Sequence, residues 1–143
     1  MISNRYISKW YSIGILLMIA MIAIGGITRL TNSGLSMVDW EPVSGVLPPI
    51  SDSDWENEFN NYKIYPEYKE INMDISMSEF KVIFFWEYFH RMVARALGLF
   101  FILPLIYHSF NKSISKIDTR RVVMIILLII CQGLLGWYMV KSD

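Results

Sequence analysis

The sequence predicts an all-α integral membrane protein with three transmembrane helices and a long external loop after the first. Three observations carry this prediction. Apolar residues fill 54% of the 143 positions and mean hydropathy is +0.37, above the range of an ordinary soluble domain. Three apolar runs approach or exceed the roughly 20 residues that cross a bilayer. The charges are segregated: ten of the thirteen acidic residues lie between Asp39 and Glu79, where only Lys63 and Lys69 are basic. Net charge is zero, so total charge says nothing about partners. No basic cluster interleaved with aromatics suggests nucleic acid. The single cysteine, Cys131, cannot form an internal disulfide, and no zinc-type Cys/His spacing occurs.

The first helix is expected at about residues 10–28. Its apolar run, Trp10 to Ile27, is longer than the core of a signal peptide and lacks a small-residue cleavage site. Gly14, Ala20, Ala23 and Gly26 are small residues that let another helix approach. The external loop covers about residues 30–76. It opens on the turn signal Thr31-Asn32-Ser33-Gly34, and Pro42, Pro48, Pro49 and Pro66 break any long helix. One short helix fits inside it, capped by Asp52 or Ser53, with Trp55, Phe59 and Tyr62 at helical spacing. The loop's aromatics (Trp40, Trp55, Tyr62, Tyr65 and Tyr68) suit a cap at the membrane surface. The second helix is expected at about 77–107, after the capping box Ser76-Met-Ser-Glu79, with Pro104 a candidate kink. The third is expected at about 121–140, capped by Asp118 or Thr119. Its Gln132 and Gly133-Leu-Leu-Gly136 predict a face packed on protein. Arg5, Lys9, Lys112, Lys116, Arg120 and Arg121 flank the apolar runs on one side. The positive-inside rule then puts the N-terminus and the 109–121 turn in the cytoplasm or matrix, and the acidic loop outside.

The second span is the informative one. An ionisable residue near the middle of a membrane helix costs about 2.5–3.5 kcal/mol. This span holds Glu87, His90, Arg91 and Arg95. At about 100° per residue they share, with Ala94 and Gly98, a stripe about 140° wide. Phe85, Phe89, Met92, Val93, Ala96 and Phe100 lie opposite. The stripe reads as half of a haem pocket, with His90 as iron ligand and Glu87 one turn away. The competing reading is a stripe that packs on neighbouring helices for structural reasons alone. The only other histidine, His108, lies 18 residues on, about 27 Å along a helix. The two cannot ligate one iron, and His108 is expected to be interfacial without iron.

An ordered series of segments carries a resemblance. It runs Gly25-Gly26-Ile-Thr-Arg29-Leu-Thr-Asn-Ser-Gly34-Leu-Ser, Trp40-Glu-Pro-Val-Ser-Gly45-Val-Leu-Pro48-Pro49, Tyr65-Pro-Glu-Tyr68, Glu79-Phe-Lys81, Glu87-Tyr-Phe-His90-Arg91 and Gln132-Gly-Leu-Leu-Gly-Trp137-Tyr-Met-Val-Lys-Ser142. Over nearly all its residues the chain resembles the N-terminal part of the haem A synthase family. These are the cytochrome c oxidase assembly enzymes of alphaproteobacteria and mitochondria. The resemblance implies a fold of eight transmembrane helices in two four-helix bundles, of which residues 1–143 supply three helices of the substrate-haem bundle. It implies oxidation of a methyl group of haem O to the formyl group of haem A, with water as oxygen source. His90 would ligate the haem iron, and Glu87 would play a catalytic part, electrostatic or proton-transferring. Arg29, Arg91 and Arg95 are the candidates for the haem propionates, to which guanidinium is well matched. Arg91 is equally a candidate partner for Glu87 at i, i+4.

The resemblance also implies a haem b cofactor in the second bundle and an inner-membrane, multi-pass location. Haem O, membrane lipid, haem O synthase, other oxidase-assembly proteins and a second copy of the chain are the expected partners. The sequence departs from the family in three ways. The fourth helix with the partner histidine and the second bundle are not among these residues, so the chain is expected to be truncated and inactive alone. Ala94 stands where the family often has Gly. The external cysteine pair of one family branch is absent. A non-catalytic membrane haem-binding or assembly subunit is the alternative function.

Overall fold

A computed structural model of the chain describes residues 2–37 and 47–141. Asp39, Trp40, Pro42 and Gly45, singled out above, and Ser142 lie outside the described residues. Five helices follow in order: α1 (Asn4–Leu30), α2 (Asp52–Tyr62), α3 (Pro66–Glu70), α4 (Met77–Phe110) and α5 (Lys116–Lys141). The described residues are otherwise turns and loops. Three helices, α1, α4 and α5, are long and apolar enough to cross a membrane. The chain is therefore an all-helical, multi-pass membrane protein. The long helices outrun their apolar runs, because the helix continues into polar turns beyond the hydrocarbon. α4 also runs on through Pro104.

The helix ends have local causes. The α4 capping box forms as the sequence implies: the Ser76 amide donates to Glu79 Oε2 (2.7 Å) and the Glu79 amide to Ser76 Oγ (3.3 Å). Two other caps differ from expectation. Ser51, not Asp52 or Ser53, caps α2, with Asp54 closing the box; Asp52 is already helical. Ser115, not Asp118 or Thr119, starts α5, accepting from the Asp118 amide at 3.1 Å. In both cases a serine outside the acidic residue leaves the carboxylate in the first turn, where it meets the positive end of the helix dipole. The Asp54 carboxyl is held below the usual carboxylate range by the Ser51 hydroxyl and amide. The short α3 was not foreseen. Pro66, read as a breaker, instead opens it, where a missing N–H costs nothing.

α1 and α4 end alike. Asn32 and Lys112 each take a positive φ of 49°. The following amides, Ser33 and Ser113, donate back to the carbonyls of Thr28 and His108 at 2.8 and 2.9 Å. This is the Schellman arrangement. Asn32, not Gly34, supplies the left-handed residue of the first turn.

The chain forms two compact units. The first comprises residues up to Ile22 and Val93–Gly136. Its core is Trp10, Leu97, Phe101 and Val122, flanked by aliphatic residues of all three long helices. Trp10 donates its indole N–H to the Phe100 carbonyl at 3.1 Å. Gly14 sits against the Phe101 ring so closely that a Cβ there would collide with it. His108 is buried, with Nδ1 2.9 Å from the Ser113 hydroxyl and its ring edge-on to Tyr6.

The second unit comprises Ala23–Met92 and the chain from Trp137. Its core is Met37, Phe59, Tyr62, Phe80 and Phe84, with Trp55, Tyr68, Ile75, Met77, Ile83 and Tyr88 packed on it. The loop aromatics therefore do more than decorate a surface. Phe59 and Tyr62 stack on Phe80 of α4 at 4.8 and 5.3 Å, and Trp55 meets Phe84 edge-on at 5.1 Å. The Tyr62 hydroxyl accepts from Asn72 Nδ2 at 2.7 Å. Burial pushes its phenol up to about 12, with the Glu67 and Glu87 carboxylates adding to the rise.

The small residues singled out in the sequence differ in their surroundings. Ala20, Ala23 and Gly26 are exposed, and nothing lies within 4 Å of a Cβ at Gly26. The close approaches on α1 are at Gly14 and Gly25, 11 residues apart, which is about three turns and so one face. Gly26 is rotated about 100° from Gly25. On α5, Gln132 and Gly133 are exposed. The described residues do not cover that face.

Candidate functional site

The site grows from the end of α1. Its Schellman turn sends Ser33–Met37 across to α4, and the loop delivers two donors to one carboxylate. The Ser36 hydroxyl donates to Glu87 Oε2 at 2.7 Å, and the Met37 amide donates to the same oxygen at 2.8 Å. Arg91, one turn on along α4, donates to Oε1 at 2.5 Å and also to the Met37 carbonyl at 3.0 Å. Both oxygens of Glu87 are thus engaged, by a hydroxyl, an amide and a guanidinium. Glu87 is 4% exposed, and Ser36 and Ser33 are fully buried. A carboxylate buried in a membrane span needs such donors, since each loss leaves charge without solvent.

His90 lies on the same helix one turn from Glu87, half-buried. Its Nε2 faces α1 at Gly25: a Cβ there would sit 3.2 Å from Nε2. Any larger residue at 25 would press on the imidazole. Among the described residues neither ring nitrogen has a hydrogen-bond partner. An imidazole nitrogen packed against a glycine, with no hydrogen bond to satisfy it, fits a haem-iron ligand.

The structure brings together some predicted residues and separates others. Glu87, His90 and Arg91 gather in the second unit. Arg91 takes the i, i+4 pairing with Glu87 rather than standing free. Arg29, four residues after Gly25 and so on the same face of α1, is exposed at the end of that helix. Arg95 belongs to the first unit, where it is half-buried. Ala94 and Gly98 also belong there. His108 is held by Ser113 and Tyr6, away from any titratable cluster; no group of three or more His, Cys, Asp or Glu suited to a bare metal ion occurs among the described residues.

Sequence reasoning missed Ser36, the Met37 amide and the role of Gly25. Ser36 and Glu87 are 51 residues apart, and no periodicity links them. The available signal was the segment of residues 25–36 itself, which carries the family resemblance and runs past the turn at residues 31–34 to Ser36.

The comparisons with known proteins agree on one family. A family model described as "Cytochrome oxidase assembly protein" (COX15-CtaA) matches residues 8–143. The chain is 52% identical over 139 residues to "Heme A synthase" of Orientia tsutsugamushi (strain Boryong), covering 97% of this chain and 39% of that protein. It is 48% identical over 139 residues to "Heme A synthase" of Rickettsia bellii (strain OSU 85-389), covering 97% and 41%. It is 49% identical over 136 residues to "Heme A synthase" of Rickettsia felis, covering 95% and 40%. The chain thus spans about two fifths of the length of the curated relatives it matches. No solved structure matches it significantly. With a family model covering all but the first seven residues, the chain belongs to the COX15-CtaA family of cytochrome oxidase assembly proteins.

Proposed function

We propose that this chain forms the substrate-haem half-site of a haem A synthase, in which a methyl group of haem O is oxidised to the formyl group of haem A. The observation that carries the reading is the pairing of a buried, three-donor carboxylate with an uncommitted imidazole one turn away. His90, whose Nε2 lies against Gly25, would hold the haem iron. Glu87 would supply a fixed negative charge one turn from that ligand. Fixed charge aimed at a developing positive centre needs no reorganisation during reaction, and this is often the largest single catalytic contribution. Arg91 and Ser36 hold that charge in place. Arg91 is committed to Glu87, so a propionate falls to Arg29, on the face of α1 that carries Gly25. Arg95 is the further candidate. Haem b, as a resident cofactor, belongs to the second bundle of the family fold. The chain sits in a bacterial or mitochondrial inner membrane, with the Ser33–Met37 side outside and the basic turn inside. Haem O synthase, other oxidase-assembly proteins and a second copy of the chain are the proposed partners.

The test is Glu87→Gln, which keeps volume and removes charge. In membranes carrying the natural gene product, we expect haem retention to survive while conversion of haem O to haem A falls about 10²–10³-fold, the usual cost of a lost electrostatic group. Unchanged conversion would remove Glu87 from the chemistry. Absence of conversion in the unmodified protein, with haem still bound through His90, would favour the non-catalytic haem-binding or assembly subunit.

A further inference from the structure

The first unit has a cleft that the haem site does not use. It has a volume of about 500 Å³ and lies between the first two turns of α1 and α5, with Asn4, Ser8, Tyr11, Ser115, Asp118 and Arg121 as its polar lining. Both walls lie at the edge of an apolar run, with Tyr11 the second residue of the run on α1. The run of α1 begins at Trp10 and that of α5 at Val122. The cleft therefore sits at headgroup depth, where Trp and Tyr collect. Ile117 lines the cleft, and Ile15 and Met124, exposed apolar residues one to two turns further on along the same faces of α1 and α5, continue from it into the span. A water-soluble metabolite has no use for such a flank. An acyl chain does.

The polar lining is of both signs. Asp118 accepts from the Ser115 hydroxyl at 2.6 Å through Oδ2, and Oδ1 has a single loose contact with Arg121 Nη1 at 3.4 Å. The Arg121 side chain is 64% exposed, so most of its donors point to solvent. Beside them the Tyr11 hydroxyl is buried and has no hydrogen-bond partner among the described residues, yet lies within electrostatic reach of both Asp118 and Arg121. Buried hydroxyls are nearly always bonded, and one left without a partner marks a missing group. Neighbouring positive and negative side chains fit a headgroup that itself carries both charges.

We propose that this cleft binds the phosphoethanolamine headgroup of a membrane lipid. Arg121 and the Tyr11 and Ser8 hydroxyls take the phosphate. Asp118 and the Asn4 side-chain carbonyl take the ammonium. The acyl chains lie along the exposed apolar side chains of α1 and α5. Phosphatidylcholine shares the phosphate but offers no N–H to Asp118. Phosphatidylglycerol shares the phosphate and has no amine.

The chain is reconstituted in nanodiscs of equal parts of these three lipids, gently re-extracted, and its retained lipid identified by mass spectrometry. We expect phosphatidylethanolamine to be enriched at least about fivefold over the other two, a readily measured difference in occupancy. Tyr11→Phe removes a hydroxyl with no partner among the described residues, so it should lower the enrichment without lowering Tm. Arg121→Gln should lower it as well and leaves the Ser115 cap of α5 intact. Retained lipid at the bulk ratio, a preference for phosphatidylglycerol, or enrichment untouched by both variants would overturn the proposal. Displacement of the lipid by excess free phosphoethanolamine would make the soluble headgroup the ligand and overturn the lipid assignment.

Discussion

The two units bury different chemistry. The first buries Trp10, Leu97, Phe101 and Val122, and its one buried histidine is tied to a serine at a helix end. The second surrounds its aromatic core with buried Thr28, Ser33, Ser36, Glu67 and Glu87. Apolar packing needs no further reason in either unit. Buried carboxylates in or beside a membrane span do, because they raise the cost of folding unless every oxygen is met. The difference teaches where to look for function. His108 and His90 stand on one helix, but among the described residues only His90 has both ring nitrogens without a hydrogen-bond partner.

Core truncation should break both units by similar amounts and sharpen their separate roles. Phe80→Ala and Phe101→Ala should each cost about 3–5 kcal/mol, as large aromatic deletions do. Thermal unfolding in detergent reads the stability. Haem retention, read at a temperature where both variants stay folded, should fall only for Phe80→Ala. Equal haem loss in both would erase the distinction.

The two glycine contacts of α1 make the next comparison. Gly14→Val must push the Phe101 ring aside, and overpacking of this kind costs about 1–3 kcal/mol. Gly25→Val meets only the tip of an imidazole, so Tm should change little. It fills the space beside Nε2, however, and should remove bound haem. A Gly25→Val protein that kept its haem spectrum would show that iron is held elsewhere.

The smallest effect is a pH dependence confined to the second unit. Tyr62 is pushed up to about 12 from an ordinary value near 10. A raised value means the folded state keeps the phenol neutral while the unfolded state ionises. The contribution is therefore whole below about pH 10 and is lost as pH rises towards 12. Tyr62→Phe should flatten the stability profile over that window. An unchanged slope would assign the dependence to other groups.

Much of this was legible in the sequence, for identifiable reasons. The three spans follow from runs of apolar residues, and the Ser76–Glu79 box from a local pattern of four residues. The grouping of Glu87, His90 and Arg91 follows from helical geometry within one element. What stayed hidden depends on contacts between distant segments. Nothing local tells that Ser36 reaches Glu87, that Gly25 rather than Gly26 faces an imidazole, or that loop aromatics stack on Phe80. The choice of Arg91 between Glu87 and a propionate was equally non-local, since the Met37 carbonyl that completes its position arrives from another segment. The Ser51 and Ser115 caps were missed for a simpler reason. Each lies before an acidic residue that is itself an acceptable cap, and propensity alone does not rank them.

The central claim is that iron is held in the second unit, by His90. The direct measurement is the absorption spectrum of the haem-loaded chain in detergent, for His90→Ala and His108→Ala side by side. The account predicts that the Soret band is lost in His90→Ala and kept in His108→Ala. A Soret band that survives His90→Ala, or that disappears only in His108→Ala, would contradict it.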